Sequence, residues 1–375
     1  MLRVGLIGWR GMVGSVLIER MRKENDFAGV EAIFFSTSNI GGAAPKEASH
    51  DDGLKNAKDL RELSACDVLI SCQGGEYTAE TYGPLQKSGW KGFWIDAAST
   101  LRMSDDSVIV LDPVNRDVIR DGLARGLRTF AGGNCSVSLM LMAVGGLFRA
   151  RLVEWMTTMT YQAASGAGAA KMLELVKQMG CLIDPTRATP SENALEVDRL
   201  MIQAQRGLDL PTREIGAPLA GSLIPWIDRD MPGGQTREEW KGMAETNKIM
   251  GLNPSVPVDG ICVRVGTMRC HSQGLCIKLT KDIPVRDIEE ILANSNPWVR
   301  IIPNDKESTV HCLTPTAVSG TLNVAIGRLH KLQLGPEFLG AFTVGDQLLW
   351  GAAEPLRRML GILREHLGDS HSSRS

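Results

Sequence analysis

Residues 2–18 read LRVGLIGWRGMVGSVLI. An apolar run stops at glycine, and apolar residues resume with helical spacing just beyond. Gly8, Gly11 and Gly14 fall in that junction as G-x-x-G-x-x-G. Glycines between a strand and a helix permit a tight turn, and they let backbone N–H groups approach a pyrophosphate at the helix N-terminus. The spacing is a variant of the usual dinucleotide fingerprint, and an ordinary βα turn with glycine packing is the plainer reading. Its place on the first strand–turn–helix unit of the chain favours the dinucleotide.

The alternation continues outward from there. VEAIFFS (30–36), CDVLISC (66–72), GFWIDAA (92–98) and SVIVLDP (107–113) read as buried strands. TAETYGPLQKSG (78–89) is helix-like, and NRDVIRDGLARG (115–126) opens on Asn115, a residue suited to capping a helix. Short buried strands alternating with helices predict an α/β fold with a parallel, doubly wound, Rossmann-like sheet. The pattern then changes. SVSLMLMAVGGLFRA (136–150) predicts a largely buried helix, VEWMTTMTYQAAS (153–165) a strand, and DGICVRVGTMRCHSQGLCIKL (259–279) two alternating strands. Helices are expected at AGAAKMLELVKQMG (167–180), NALEVDRLMIQAQR (193–206) and the polar REEWKGMAETNKIM (237–250). This is α+β material, as a second domain with a mixed sheet would need. The division expected is 1–133 and 134–344, with a final helix at about 345–368 packing back on the first domain and a disordered tail at 369–375.

At 375 residues the chain is long enough for two such cores. A formal net charge of −2 gives no electrostatic footprint for nucleic acid or an anionic membrane. No apolar run reaches the roughly 18 residues of a spanning helix, and the N-terminus lacks a secretory pattern, so a cytoplasmic protein is expected. Eight cysteines contain no C-x-x-C pair, which predicts free, mostly buried thiols and no metal site.

One of those cysteines stands out. In AGGNCSVS (131–138), Cys135 follows a strand and a Gly-Gly turn and begins a helix. The helix dipole there favours a thiolate, and free N–H groups can hold an oxyanion. Cys72 also follows a strand but no clear helix starts immediately after it, while Cys262 and Cys276 sit inside alternating strands. A reactive cysteine wants a base. Of the histidines, His271 between the two late strands is best placed, with Arg264 seven residues before it; a surface cation is the plainer reading of Arg264. The second strand ends FFSTSN (34–39), offering Ser36, Thr37 and Ser38 where an NAD enzyme usually has an acid. Those hydroxyls, with Arg10 in the glycine loop, suit a 2′-phosphate and so NADP.

Taken together, GWRGMVGS, FFSTS, DAASTLRM, GGNCSVSLM, TYQAASGAGA, REEWKGMAETNK and VRVGTMRCHS resemble the bacterial aspartate-β-semialdehyde dehydrogenases in order and spacing. The likeness runs on through PEFLGAFTVGDQLLWGAAEPLRRML and covers nearly the whole chain. It implies an N-terminal NADP-binding domain, a C-terminal catalytic and dimerisation domain, and a homodimer. By the same resemblance Cys135 is the nucleophile that forms an acyl-thioester, His271 the acid/base and Gln162 a group beside the thioester. Glu238 and Arg264 match groups that hold the substrate, and Arg102, Asn134 and Lys241 match the phosphate site. Gly8, Arg10, Gly11, Met12, Val13, Thr37, Ser38, Gln73, Ser165, Gly166, Pro190 and Gln347 match cofactor positions. Two departures stand out. Ala167 replaces a glycine, which would strain the chain if that residue needs φ > 0, and the loop before ATPSENA is shortened near Pro190.

Two other readings remain open at this point. A related phosphorylating dehydrogenase for a glutamyl or glyceraldehyde substrate would need different groups at Glu238 and Arg264. A non-catalytic dinucleotide sensor would leave Arg102, Lys241 and Arg264 without a purpose.

Overall fold

In the computed structural model, which describes residues 1–187 and 193–372, the described strands form two seven-stranded sheets. The first contains β1 (Leu2–Ile7), β2 (Val30–Ser36), β3 (Lys55–Asn56), β4 (Val68–Ser71), β5 (Phe93–Asp96), β6 (Ser107–Val110) and β7 (Thr129–Gly132). Their order is β3-β2-β1-β4-β5-β7-β6, and every pairing is parallel. Strands β4 to β7 are buried at every residue, which is why they read as unbroken apolar runs instead of alternating ones. One face packs on Leu17, Ile18, Met21, Ile119 and Leu123, and the other on Leu63, Tyr77, Leu85 and Trp90. The chain winds outward from β1 to β2 and later returns to β4 on β1's other side. A crevice therefore opens above the carboxyl ends of β1 and β4.

The second sheet contains β8 (Val153–Gln162), β9 (Leu223–Ile224), β10 (Val258–Val265), β11 (His271–Leu279), β12 (Val299–Ile301), β13 (Val324–Lys331) and β14 (Phe338–Gly345). Its order is β12-β13-β14-β11-β8-β10-β9, with β8–β10 and β12–β13 parallel and the other pairs antiparallel. Alternation along β8 turns Met156, Thr158, Thr160 and Gln162 inward and Met159 and Tyr161 outward. The inner face packs on the helix Cys135–Arg149, whose Val137 and Leu139 to Val144 share a core with Val153, Met156, Ile277 and Val324. On the outer face Met159, Tyr161 and Ile261 stay exposed.

The last helix, Glu354–Ser372, follows a π-helical turn at Leu349–Ala353. It buries Leu356, Met359, Leu360 and Leu363 against the first sheet's Val4, Leu6, Ile95 and Phe130. A buried ion network fixes its start: Glu354 accepts from Arg20 Nε at 2.9 Å and from Arg357 Nη2 at 2.8 Å. The helix runs past residue 369, where a disordered tail was expected to begin. Its backbone continues through Ser372, and residues 373–375 lie outside the described residues. Asn115 differs from expectation too. Within Asp112–Ala124 a short first helical stretch with Leu111 as N-cap precedes it, and Asn115 stands at the kink (φ −132°, ψ 34°) where the second stretch begins, without capping that stretch through its side chain. Its amide bonds back to Leu111 N and Ile109 O, because Asp112-Pro113 already supplies a helix start.

Candidate active site

The position of Cys135 follows from local sequence. Strand β7 ends at Gly132, and two residues later Asn134 caps the helix that Cys135 begins. Asn134 Oδ1 accepts the N–H groups of Ser136 (3.0 Å) and Val137 (3.1 Å), a cap worth about 1 kcal/mol. From the second sheet, Gln162 and Arg264 are direct partners in the parallel β8–β10 register, and His271 opens β11. The carboxyl end of the first sheet and one end of the second thus close on a common cleft. Cys135, Arg102, Gln162, Glu238, Lys241 and Arg264 all line it.

Cys135 Sγ lies 3.3 Å from His271 Nε2. The ring is fully buried, and its Nδ1 accepts the N–H of Ala163 at 3.1 Å. That bond decides the tautomer: a neutral ring accepting at Nδ1 carries its proton on Nε2, toward the sulfur. Burial, helped by the nearby Arg264 charge, pushes the imidazole down to about 3, so the ring stays neutral. His271 is therefore built to donate from Nε2, to sulfur or to an oxygen on a carbon bound to sulfur. This narrows the acid/base role expected for it.

The thiol departs from expectation as well. Burial lifts Cys135 to about 11, and Glu238 adds to the rise against Arg264, Arg102 and Lys241. The dipole of its helix does not leave a resting thiolate, because desolvation by the surrounding protein and the facing Glu238 carboxylate outweigh it, although the thiol keeps an opening to the cleft. Gly351 is also required here, since a Cβ at 351 would sit 2.8 Å from Cys135 Cβ.

Beside this pair is a buried polar cluster. Glu238 Oε1 accepts from Asn134 Nδ2 (2.9 Å) and Gln162 Nε2 (3.2 Å), and Oε2 accepts from Lys241 Nζ (2.9 Å). Burial opposes the charge on Glu238, but Lys241 and the two amides outweigh it and hold the carboxyl below its usual range. Lys241 is likewise penalised by burial and still raised by Glu238 and Asp228. Both residues are only 8% exposed, so this is no surface i,i+3 pair. Arg264 donates from Nη1 to Ala163 O at 2.7 Å, and burial lowers its pKa. Arg102, also 8% exposed, donates to Gly132 O (2.6 Å), Ala97 O (3.2 Å) and Glu245 Oε1 (3.2 Å).

Two carboxylates here escaped the sequence reading. Asp228 accepts from Lys241 Nζ at 2.8 Å from a loop with no motif around it. Glu245 lies seven residues after Glu238 and four after Lys241, so the helical period of 237–250 contained the signal.

The cofactor positions gather around the crevice. Gly8, Arg10, Gly11, Thr37, Ser38 and Gln73 line a neighbouring pocket that shares Cys72 with the cleft. Gly8 has φ +72°, and a Cβ on it would meet the backbone of Cys72 and Gln73 at 2.5 Å. Arg10 Nη2 donates to Ser36 Oγ at 3.0 Å. Met12, Val13, Ser165, Gly166 and Gln347 line the main cleft, where Gln347 Nε2 donates to Ser165 Oγ at 2.7 Å. These residues fit a dinucleotide, with backbone close to its phosphates and a cation with hydroxyls at the second strand's end. Pro190 lies outside the described residues. Ala167 is unstrained: it ends a 3₁₀ turn, and the positive φ (102°) belongs to Gly168. All eight cysteines are free; Cys66, Cys262 and Cys270 are buried, while Cys312 is exposed.

Comparison with known proteins identifies the family. A family model described as "Semialdehyde dehydrogenase, NAD binding domain" matches residues 3–122, and one described as "Semialdehyde dehydrogenase, dimerisation domain" matches residues 144–350. An aspartate semialdehyde dehydrogenase from Francisella tularensis is 47% identical, with 97% of this chain and 100% of that one covered and a TM-score of 0.94. Aspartate semialdehyde dehydrogenase II from Vibrio cholerae, solved with ASA, is 24% identical over 97% of this chain and 98% of that one, at TM-score 0.78. An aspartate semialdehyde dehydrogenase with NADP from Candida albicans is 16% identical over 97% and 99%, at TM-score 0.66. The last two likenesses speak for the fold alone.

Proposed function

Because the chain belongs to the aspartate semialdehyde dehydrogenase family, we propose that it interconverts L-4-aspartyl phosphate and L-aspartate 4-semialdehyde with NADP, through a thioester on Cys135. The observation that carries this reading is the Cys135–His271 pair at 3.3 Å, inside a cleft that also holds Arg102, Lys241 and Arg264. In the cell the reaction runs toward the semialdehyde, supplying lysine, threonine, methionine and diaminopimelate synthesis in the cytoplasm. Residues 1–133 form the cofactor domain, and 134–344 the catalytic and dimerisation domain of a homodimer.

In the dehydrogenating direction the Cys135 proton passes to water, and the sulfur bonds to the aldehyde carbon. The carbonyl electron pair moves to oxygen as an alkoxide. His271 Nε2–H donates to that oxygen, and no proton need leave the ring. When bound, the cofactor supplies the acceptor for the carbon's hydride. Phosphate oxygen then attacks the resulting thioester, the C–S bond breaks, and the thiolate recovers a proton from water. Arg264 holds the α-carboxylate and Glu238 the α-ammonium. Arg102, Lys241 and the free Nδ2 hydrogen of Asn134 hold the phosphate, with fixed cations matching two anionic groups. Arg10, Thr37 and Ser38 take the 2′-phosphate.

The test is reduced-cofactor formation from L-aspartate semialdehyde, NADP and phosphate, with Cys135→Ala, NAD and phosphate-free controls. Phosphate-dependent turnover that prefers NADP and vanishes in the variant is expected. NADP binding without product would sink the substrate assignment and favour a glutamyl or glyceraldehyde substrate, or a sensor.

A further inference from the structure

Glu245 is a buried carboxylate, 2% exposed, that the chemistry above does not use. Each oxygen takes one donor: Arg102 Nη1 reaches Oε1 at 3.2 Å, and the backbone N–H of Asn134 reaches Oε2 at 2.6 Å. The carboxylate therefore links three elements that are far apart in sequence. These are the polar helix Arg237–Met250, the turn carrying Arg102 and the turn that caps the nucleophile's helix.

The count of donors on Arg102 sharpens the point. A guanidinium has five N–H groups. Here Nε goes to Gly132 O, one hydrogen of Nη2 to Ala97 O and one of Nη1 to Glu245. One hydrogen remains on each terminal nitrogen, so Arg102 keeps two charged donors for an oxyanion in the cleft it lines.

We propose that Glu245 is a positioning residue for phosphate, orienting the remaining N–H donors of Arg102 and fixing them relative to Cys135 through Asn134. The proposal rests on the anion site assigned above. Simple charge counting predicts the opposite sign: a carboxylate beside an anion site repels phosphate, so neutralising it would tighten binding. Positioning predicts weaker binding. An amide cannot replace the carboxylate, because its single acceptor oxygen serves only one of the two donors and its NH₂ must face the other.

The experiment compares wild type with Glu245→Gln using inorganic phosphate as the probe. Phosphate protection of Cys135 against iodoacetamide reads binding without turnover, and KM values for phosphate and semialdehyde are measured separately. The expected result is phosphate binding weaker by about tenfold or more, with the semialdehyde KM changed by less than about twofold. A merely structural defect would move both. On an Arg102→Ala background the added effect of Glu245→Gln should fall below about twofold, because Glu245 acts through that side chain. Unchanged or tighter phosphate binding overturns the proposal. If Glu245→Gln does not fold, Glu245→Asp decides: it keeps the charge but is too short to hold both donors, so the same selective weakening is expected and unchanged affinity refutes it. Wild type that phosphate protects but that does not turn over semialdehyde would remove the substrate assignment and leave this test intact. Wild type that phosphate does not protect overturns the proposal along with the anion site.

Discussion

The resting thiol gives the sharpest prediction. With Cys135 at about 11, roughly one molecule in a thousand carries the thiolate near pH 8. An ordinary cysteine near 8.5 is about a quarter ionised there. Greater basicity returns roughly tenfold in intrinsic nucleophilicity, so alkylation should run about twentyfold slower than for a free thiol. Limited access lowers the rate further, but it scales the whole curve and leaves its shape alone. The assay is therefore the pH profile of iodoacetamide labelling at Cys135, followed by peptide mass in cofactor-free protein. The logarithm of the rate should climb with slope near one from about pH 7 to about pH 10, with no step near the ordinary histidine value of about 6.5. Glu238 raises the thiol's pKa, so Glu238→Gln should lower the inflection and speed labelling near pH 8. A plateau below about pH 8 would refute the reasoning. It would mean a thiolate–imidazolium pair, with protons on both ring nitrogens and the Ala163 bond to Nδ1 lost.

Other consequences are equally direct. Gly351→Ala drives a Cβ to within 2.8 Å of Cys135 Cβ and 3.1 Å of its Cα. Displacing the nucleophile should cut kcat by about tenfold or more, while urea denaturation shows a loss of only about 1–3 kcal/mol. Arg10→Ala should lower the NADP-to-NAD preference in kcat/KM by about tenfold or more, since it removes the cation beside Ser36 that is proposed to hold the 2′-phosphate. Glu354→Ala leaves Arg20 and Arg357 buried without their shared partner and should cost about 3–5 kcal/mol in urea denaturation. Burial penalises the charge on Glu354, but the two arginines hold its carboxyl below the usual range. Its contribution is thus present above about pH 4.3 and lost as pH falls through the depressed value, so Glu354→Gln should flatten stability against pH in acid.

Much of this was legible in the chain because the signals are local. The apolar runs ending at Gly8 and Ser71 declare buried parallel strands, and GGNC declares a capped turn with a thiol at its end. The helical period of 237–250 put Glu238, Lys241 and Glu245 on one side, but burial of that side depends on packing against Asn134 and Arg102, more than a hundred residues away. The same distance hid the Ala163 bond that sets the His271 tautomer, and Ala163 offers only its backbone. Asn115 misled for a local reason: two helix-start signals overlap, and Asp112-Pro113 comes first. The end of the last helix was misplaced because composition alone set the start of a tail at residue 369, whereas a helix anchored by Leu360 and Leu363 carries its backbone on to Ser372.

The charge arrangement has a logic beyond the separate roles. A cleft proposed to take two anionic groups must stay folded when both are absent, and bare buried cations would resist that. Here Lys241 rests on Glu238 and Asp228, and Arg102 rests on Glu245. Arg264 is different, because its hydrogen bond goes to a neutral carbonyl, Ala163 O. The cations assigned to phosphate are thus partly neutralised before it arrives, which favours modest affinity and ready exchange of the group that must both attack and leave. The cation assigned to the α-carboxylate keeps its charge for a group that stays put through both steps. Ala163 lies between the two halves of the chemistry, accepting from Arg264 at its carbonyl and donating to His271 at its N–H. One peptide segment therefore fixes the substrate's anchor and the oxyanion donor relative to each other. A shift of the turn after β8 would disturb carboxylate binding and hydride transfer together.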